Sequence, residues 1–233
     1  MPDDGLTVAT APTPDISDLV TEDDTPVDNF ASEKHQRLLT EVLYSSWETG
    51  QRFVAAANVG IFARVGEPPV VPDMFLSLDV QVADQWWERK NRSYLIWEFG
   101  KPPEVVIELV SNREGNELGS KLRDYGRMRV AYYVVFDALE QLGGPVLQIF
   151  ELQKLHYTPL KGNWLEDVGL GLTLWRGAFE QRTDLWLRWC DREGNVLLTG
   201  KERAERAEVR VAQAEERAAR LAKRLQSLGM EPD

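Results

Sequence analysis

Cysteine occurs once in this 233-residue chain, at Cys190, and that scarcity removes two architectures at the outset. A lone thiol builds neither a disulfide framework nor a cysteine-based zinc site. Long apolar runs are missing too, since nothing approaches the ~18 consecutive apolar residues that span a bilayer. The N-terminus is acidic and has no basic stretch leading into an apolar one. A secretory signal is therefore not expected, and the reading is a cytoplasmic protein with no membrane partner. Residues 1–30 lack Lys and Arg altogether and hold eight acids between Asp3 and Asp28. The net charge is −11, so with that arm set aside the rest of the chain carries −3. Sequence-independent affinity for DNA comes from many Lys and Arg neutralising phosphates. This balance argues against a tight non-specific DNA binder and leaves open an enzyme that holds its substrate weakly or as a dimer.

What is present fits an ordinary globular body, with 43% hydrophobic and 28% charged residues. The length suits one domain with extensions, or at most two small domains. Residues 1–30, with four prolines among Asp, Thr and Ala, read as a disordered acidic arm. A helix is expected next, with Ser32 as N-cap, Leu38, Leu39, Val42, Leu43 and Trp47 on one apolar face, and an end near Gly50. Strand-like runs follow at 53–56, 59–65 and 74–80. A Trp- and charge-rich stretch then ends in the turn signal Gly100-Lys101-Pro102-Pro103. Residues 104–110 form the most convincing buried strand, 117–128 a helix, and 131–136 a further strand. That β–helix–β order implies a parallel pair with a right-handed crossover. Runs at 146–152, 155–160, 170–175 and 185–189 read as antiparallel additions, and a turn at 191–195 leads into 196–198.

Within the strand 104–110 stands one anomaly, Glu108. A strand buried on both faces should be nearly all apolar, and a buried lone carboxylate calls for a partner charge or a metal. Asp73, after Pro72, opens a neighbouring strand, and Lys121 lies on the helix that follows. Two acids on adjacent strand ends with a lysine nearby suit a Mg²⁺-dependent phosphodiester-cleaving site. The same residues also suit a buried Glu108–Lys121 ion pair with Asp73 capping a turn, and the residues alone leave both readings open. Glu33 can face such a site or simply complement the helix dipole. His35 is a candidate phosphate contact on the helix surface, and Tyr125 reads as packing beneath the site. Trp86, Trp87 and Trp97 are candidates to stack on bases, with core packing as the plainer role. Arg123, Arg127 and Arg129 offer a phosphate-tracking face or a solvated one. His156 and Cys190 support no functional claim.

The stretch from Ser93 to Ser111, then Gly119-Ser120-Lys121-Leu122-Arg123-Asp124-Tyr125, then Tyr132 to Asp137, resembles the Uma-two family of restriction-endonuclease-like proteins in the PD-(D/E)XK nuclease superfamily. The likeness extends over most of residues 31–228 and is most specific around 95–125. It implies a mixed β-sheet core flanked by helices, with the metal site at one sheet end. It implies that Asp73 and Glu108 bind Mg²⁺, with Mn²⁺ as a substitute and the backbone carbonyl of Leu109 as a further ligand. Lys121 would stabilise the transition state, and DNA would be the substrate. Two departures stand out. Val110 occupies the superfamily's usual lysine position, and residues 111–116 replace the family's Ser-Pro-Ser-Thr loop, with Glu117 where an Asp would fall. A catalytically weak or inactive nuclease fold, used as an interaction module that assembles through the C-terminal helix, is the competing expectation.

From Lys201 the composition shifts to Ala, Glu, Arg and Leu. Ala204, Ala207, Val211, Ala214, Ala218, Leu221, Leu225 and Leu228 fall at alternating spacings of three and four, the a/d seam of a coiled coil about four heptads long. The expected organisation is an arm at 1–30, a nuclease domain at 31–199, and a coiled-coil helix at 200–233 that supports a homodimer.

Overall fold

The computed structural model describes residues 29–111 and 116–227. The acidic arm lies outside these residues except for its last two. Asn29 is in fact the N-cap of the first helix, its side-chain oxygen accepting the N–H groups of Ala31 and Ser32. Helix α1 spans Phe30–Ser46, so the cap sits three residues before the expected Ser32, which is buried within the first turn. Asn is as strong a cap as Ser, and an Asn at the end of an acidic run reads easily as part of that run.

The central sheet has six strands in the order β1-β3-β5-β6-β7-β8. They are β1 (Phe53–Ala57), β3 (Met74–Leu78), β5 (Val105–Leu109), β6 (Tyr132–Phe136), β7 (Leu147–Gln153) and β8 (His156–Pro159). Only β5 and β6 run parallel, joined by the expected helical crossover, and the other pairs are antiparallel. The run expected over 59–65 contracts to β2 (Ile61–Phe62), which pairs in parallel with β4 (Tyr94–Leu95). The short α2 (Ile96–Phe99) follows and ends at Gly100, whose φ of +76° is the left-handed cap that suits glycine. The crossover helix does not begin as a regular helix. Glu117–Lys121 forms a wider π-type turn, and α3 proper runs Leu122–Met128. Such turns gather at functional sites.

Alternation along the strands divides the core. Val105, Ile107 and Leu109 of β5 join one layer, with Leu38, Leu39, Val42 and Leu43 of α1. That layer is closed by a second antiparallel sheet of β9 (Trp164–Leu165), β10 (Leu170–Phe179) and β11 (Arg182–Cys190). One face of the central sheet is therefore covered by a helix and by a second sheet built from the later β runs. Strands β10 and β11 are longer than the runs read at 170–175 and 185–189, because their outer ends continue as a half-exposed ribbon. Val106 and Val110 join the opposite layer, with Phe75, Tyr125, Tyr133 and Val135. By the two-residue period, Glu108 belongs to that second layer. Helix α4 (Gly200–Ser227) leaves the body with no buried residue.

Candidate active site

The register between β3 and β5 pairs Met74 with Ile107. Carried one residue further, it sets Asp73 opposite Glu108 at the sheet end. Asp73 is held from two sides. Its Oδ2 accepts the N–H of Leu109 at 2.7 Å, and its Oδ1 accepts Gln36 Nε2 from α1 at 2.8 Å. Gln36 is itself steadied by Asn58, whose Nδ2 donates to Gln36 Oε1 at 3.0 Å. Glu108 is 1% exposed, and each of its oxygens takes one donor. Tyr125 Oη donates to Oε1 at 2.6 Å and Lys121 Nζ donates to Oε2 at 2.7 Å. The π-type turn aims Lys121 back at the strand, while Tyr125, one turn later on α3, reaches the same carboxylate. Glu117 stands on the far side of the lysine, its Oε1 4.0 Å from Nζ.

Electrostatics follow from burial. Removal from water lifts the Glu108 carboxyl, Lys121 pulls it down, Asp73 pushes it up again, and the hydrogen bonds from Lys121 and Tyr125 lower it; the outcome is about 8. Metal-free Glu108 is therefore partly protonated near neutrality. For Lys121, burial disfavours the charge, but the carboxylates of Glu108, Asp73 and Glu117 outweigh it and the pKa rises. The ammonium is firmly charged.

The three residues singled out in the sequence thus come together. Leu109 takes part through its N–H, which fixes Asp73. Tyr125 does more than pack, since it donates directly to Glu108. Gln36, Asn58 and Glu117 were missed as site residues. A usable signal for Gln36 was a polar residue three positions before Leu39 on the apolar face of α1. Glu33 lies away from the site, on an exposed face, paired with Arg37 at 3.0 Å. His35 corrects its reading as a surface residue. It is buried, Nδ1 lies 2.8 Å from the Ala31 carbonyl, and its ring packs 5.0 Å from Phe136 and 4.7 Å from Trp186. Burial lowers its pKa, so it is a neutral core residue and not a phosphate contact. Trp97 packs against Phe62 and Leu95. Trp86 and Trp87 are solvent-facing, the latter 74% exposed, at the rim of a cavity of ≈ 570 Å³ also lined by Tyr44, Phe75, Tyr94 and Phe99. Arg123, Arg127 and Arg129 are exposed. Residues 112–115 of the loop that departs from the family pattern lie outside the described residues.

A magnesium ion takes one or two protein carboxylates and fills its octahedron with water and phosphate oxygens. Asp73 and Glu108 would offer such an ion two hard carboxylate groups at one sheet end. Beside them, Glu117 Oε2 is buried with no hydrogen-bond partner, an orphaned acceptor of the kind that a cation or water satisfies. Among the described residues no three His, Cys, Asp or Glu side chains gather as a complete protein cage. The donor set therefore fits an ion that keeps much of its own water.

The family model described as "Putative restriction endonuclease", Uma2, matches residues 21–174, and the chain belongs to that family. Among solved structures, the chain is similar to a protein described as "a putative nuclease belonging to DUF820" from Anabaena variabilis ATCC 29413. The two are 14% identical with a TM-score of 0.41, over 60% of this chain and 73% of that one. No curated protein matches the chain. Among the described residues no helix is long and apolar enough to cross a membrane.

Proposed function

We propose that this protein is a divalent-metal-dependent endonuclease that hydrolyses DNA phosphodiester bonds. Asp73 and Glu108 would hold Mg²⁺, with the Leu109 carbonyl as a further ligand, and Lys121 would act on the phosphate. One observation carries the reading: the β3–β5 register sets two carboxylates side by side at a sheet end, with a charged lysine 2.7 Å from one of them. Membership of the Uma2 family supports it. When bound, Mg²⁺ or Mn²⁺ would polarise the phosphate and lower the pKa of a coordinated water. The chain's own residues prepare the rest. Gln36 and the Leu109 N–H lock the Asp73 carboxylate, and Tyr125 locks Glu108. The Lys121 ammonium offsets charge that builds on the phosphate oxygens and helps to orient the attacking water. Glu108 must give up its proton before it can act as a ligand, which couples ion affinity to pH.

The test is supercoiled plasmid incubated with Mg²⁺ or Mn²⁺, beside a Glu108→Gln control, with calorimetry of Mn²⁺ on wild type and Asp73→Ala. Nicking that depends on Glu108 and ion binding that depends on Asp73 support the assignment. Nicking that persists in the control belongs to a contaminant, and equal ion binding by both proteins removes Asp73 from the site. The second reading is a nuclease fold that no longer cuts and serves as an interaction module. The existing Lys121–Glu108 ion pair favours it, because that pair already answers the buried charge without an ion. Absence of both ion binding and nicking would overturn the nuclease reading in favour of this one.

A further inference from the structure

Helices α1 and α3 contribute buried residues to the core, whereas α4 contributes none along its 28 residues, about 42 Å of helix. Val209, Val211 and Leu221 are each more than half exposed. Its root is nonetheless firmly set. Thr199 Oγ1 accepts the Glu202 N–H at 3.1 Å and Glu202 Oε2 accepts the Thr199 N–H at 2.7 Å, a reciprocal capping box. Glu202 also pairs with the buried Arg188 guanidinium at 2.8 Å, and the Gly200 N–H donates to Glu41 Oε1 of α1 at 2.7 Å. A helix anchored at one end and bare along its length has an unanswered seam. We propose that α4 pairs with α4 of a second copy of this chain as a parallel, in-register, two-stranded coiled coil.

Charge selects both the partner and its direction. The seam places Ala204, Val211, Ala218 and Leu225 at heptad position a, and Ala207, Ala214 and Leu221 at d, with Leu228 outside the described residues. That phase fixes the flanks. Each g position is arginine (Arg203, Arg210, Arg217, Arg224), and the e positions between them are Glu208, Glu215 and Ala222. Among the described residues no ion pair within the chain engages these four arginines or Glu208 and Glu215. In a parallel coil, g of one helix faces the following e of the other. Arg203 then meets Glu208 of the partner subunit, and Arg210 meets Glu215 of the partner subunit, twice over by symmetry. In an antiparallel coil g faces g and e faces e, which sets Arg against Arg and Glu against Glu. A helix carrying only one sign on each flank is thus complementary to a parallel copy of itself. The alanine half of the seam buries little area. The pairing therefore leans on Val211, Leu221, Leu225 and the flanking ion pairs, and weakens as salt rises. A parallel arrangement holds both bodies at the same end of the coil. The proposal does not rest on the nuclease reading.

The test uses the full chain. Sedimentation of wild type should give a dimer at micromolar concentration. Arg203→Glu with Arg210→Glu should raise the dissociation constant by at least about tenfold, because Glu then faces Glu. Glu208→Arg with Glu215→Arg should do the same, and an equimolar mixture of the two doubly substituted chains should restore a dimer. Direction is read separately from Ala207→Cys under mild oxidation. A disulfide needs Cα atoms within about 7 Å, so only parallel chains in register cross-link at that position. The native Cys190 is buried. All substituted positions lie on α4, away from the core, and the near-ultraviolet signal of the buried Trp186 and Trp189 checks that the body is intact. A monomeric wild type, a dimer indifferent to both charge swaps, or a dimer that does not cross-link through position 207 would each overturn the proposal.

Discussion

Lys121 Nζ stands 2.7 Å from Glu108 Oε2, a contact made across thirteen residues because the π-type turn carries the lysine back over the end of β5. The pair joins the most buried acid of the site to a side chain that still reaches solvent. Removing one partner of such a pair leaves the other charge exposed to a low dielectric. Glu108 has an escape, since its carboxyl already stands near 8 and can take up a proton. Lys121→Ala should therefore lose only roughly 1–3 kcal/mol in urea unfolding at pH 7, less than a fully trapped charge would cost. Plasmid nicking by the same variant should fall by at least about a hundredfold, in line with loss of a group that stabilises transition-state charge.

Glu108 also sets a pH dependence in chelator-treated protein. Its folded pKa is raised, so the folded state keeps a proton that the unfolded chain releases above 4.5. That contribution to stability is complete below pH 4.5 and is lost as pH rises through about 8. Lys121 is raised as well, but its contribution is lost only above its ordinary 10.5, outside this window. His35, lowered by burial, acts below 6.5 and is shared by both proteins compared. The stability of wild type relative to Glu108→Gln should thus fall between pH 5 and 9 by on the order of a few kcal/mol, read from urea midpoints. Parallel curves would show that Glu108 does not titrate in the window.

Gln36 is the residue whose removal should separate ion binding from folding. Gln36→Ala frees one side of Asp73 while the Leu109 N–H keeps the other. Groups that orient metal-ligating side chains typically change affinity by about 10–100-fold. Mn²⁺ calorimetry should show a loss in that range. Thermal unfolding in chelator should move by only about 1–2 kcal/mol, the worth of a buried hydrogen bond.

Glu202 pairs with Arg188, which is 1% exposed and also donates to the Leu197 carbonyl at 2.6 Å. Glu202→Ala removes both the counter-charge and half of the capping box. The expected loss is roughly 3–5 kcal/mol for a buried charge left unpaired, measured by chemical unfolding. Trypsin should cut early in α4 before it touches the body, and unchanged digestion would mean that the helix root is held by other contacts.

The legible parts of this chain were those in which local pattern and tertiary environment agree. The apolar run of β5, the return at β6 and the parallel pair between them followed from alternation and length. The three–four spacing of α4 followed in the same way. Glu108 was legible because it violates its own strand, and Asp73 and Lys121 followed from it together with a family resemblance. Gln36 was legible only as a polar residue on the apolar face of α1, because nothing local names the acid it meets thirty-seven residues away. The burial of His35 was hidden for a similar reason, since Phe136 and Trp186, which enclose it, come from β6 and β11. The π-type turn escaped because Glu117, Leu118 and Lys121 satisfy ordinary helical spacing. Only the direction of Lys121 in space betrays the wider winding.

Helix α1 touches both halves of the molecule's business, Asp73 through Gln36 and the root of α4 through Glu41. The two contacts lie five residues apart on one rigid rod that turns about 100° per residue. A single inserted or deleted residue between them would swing one contact away from its partner whatever the other did. The stretch 36–41 is thus a fixed spacer, intolerant of any change in the length that separates its two end residues.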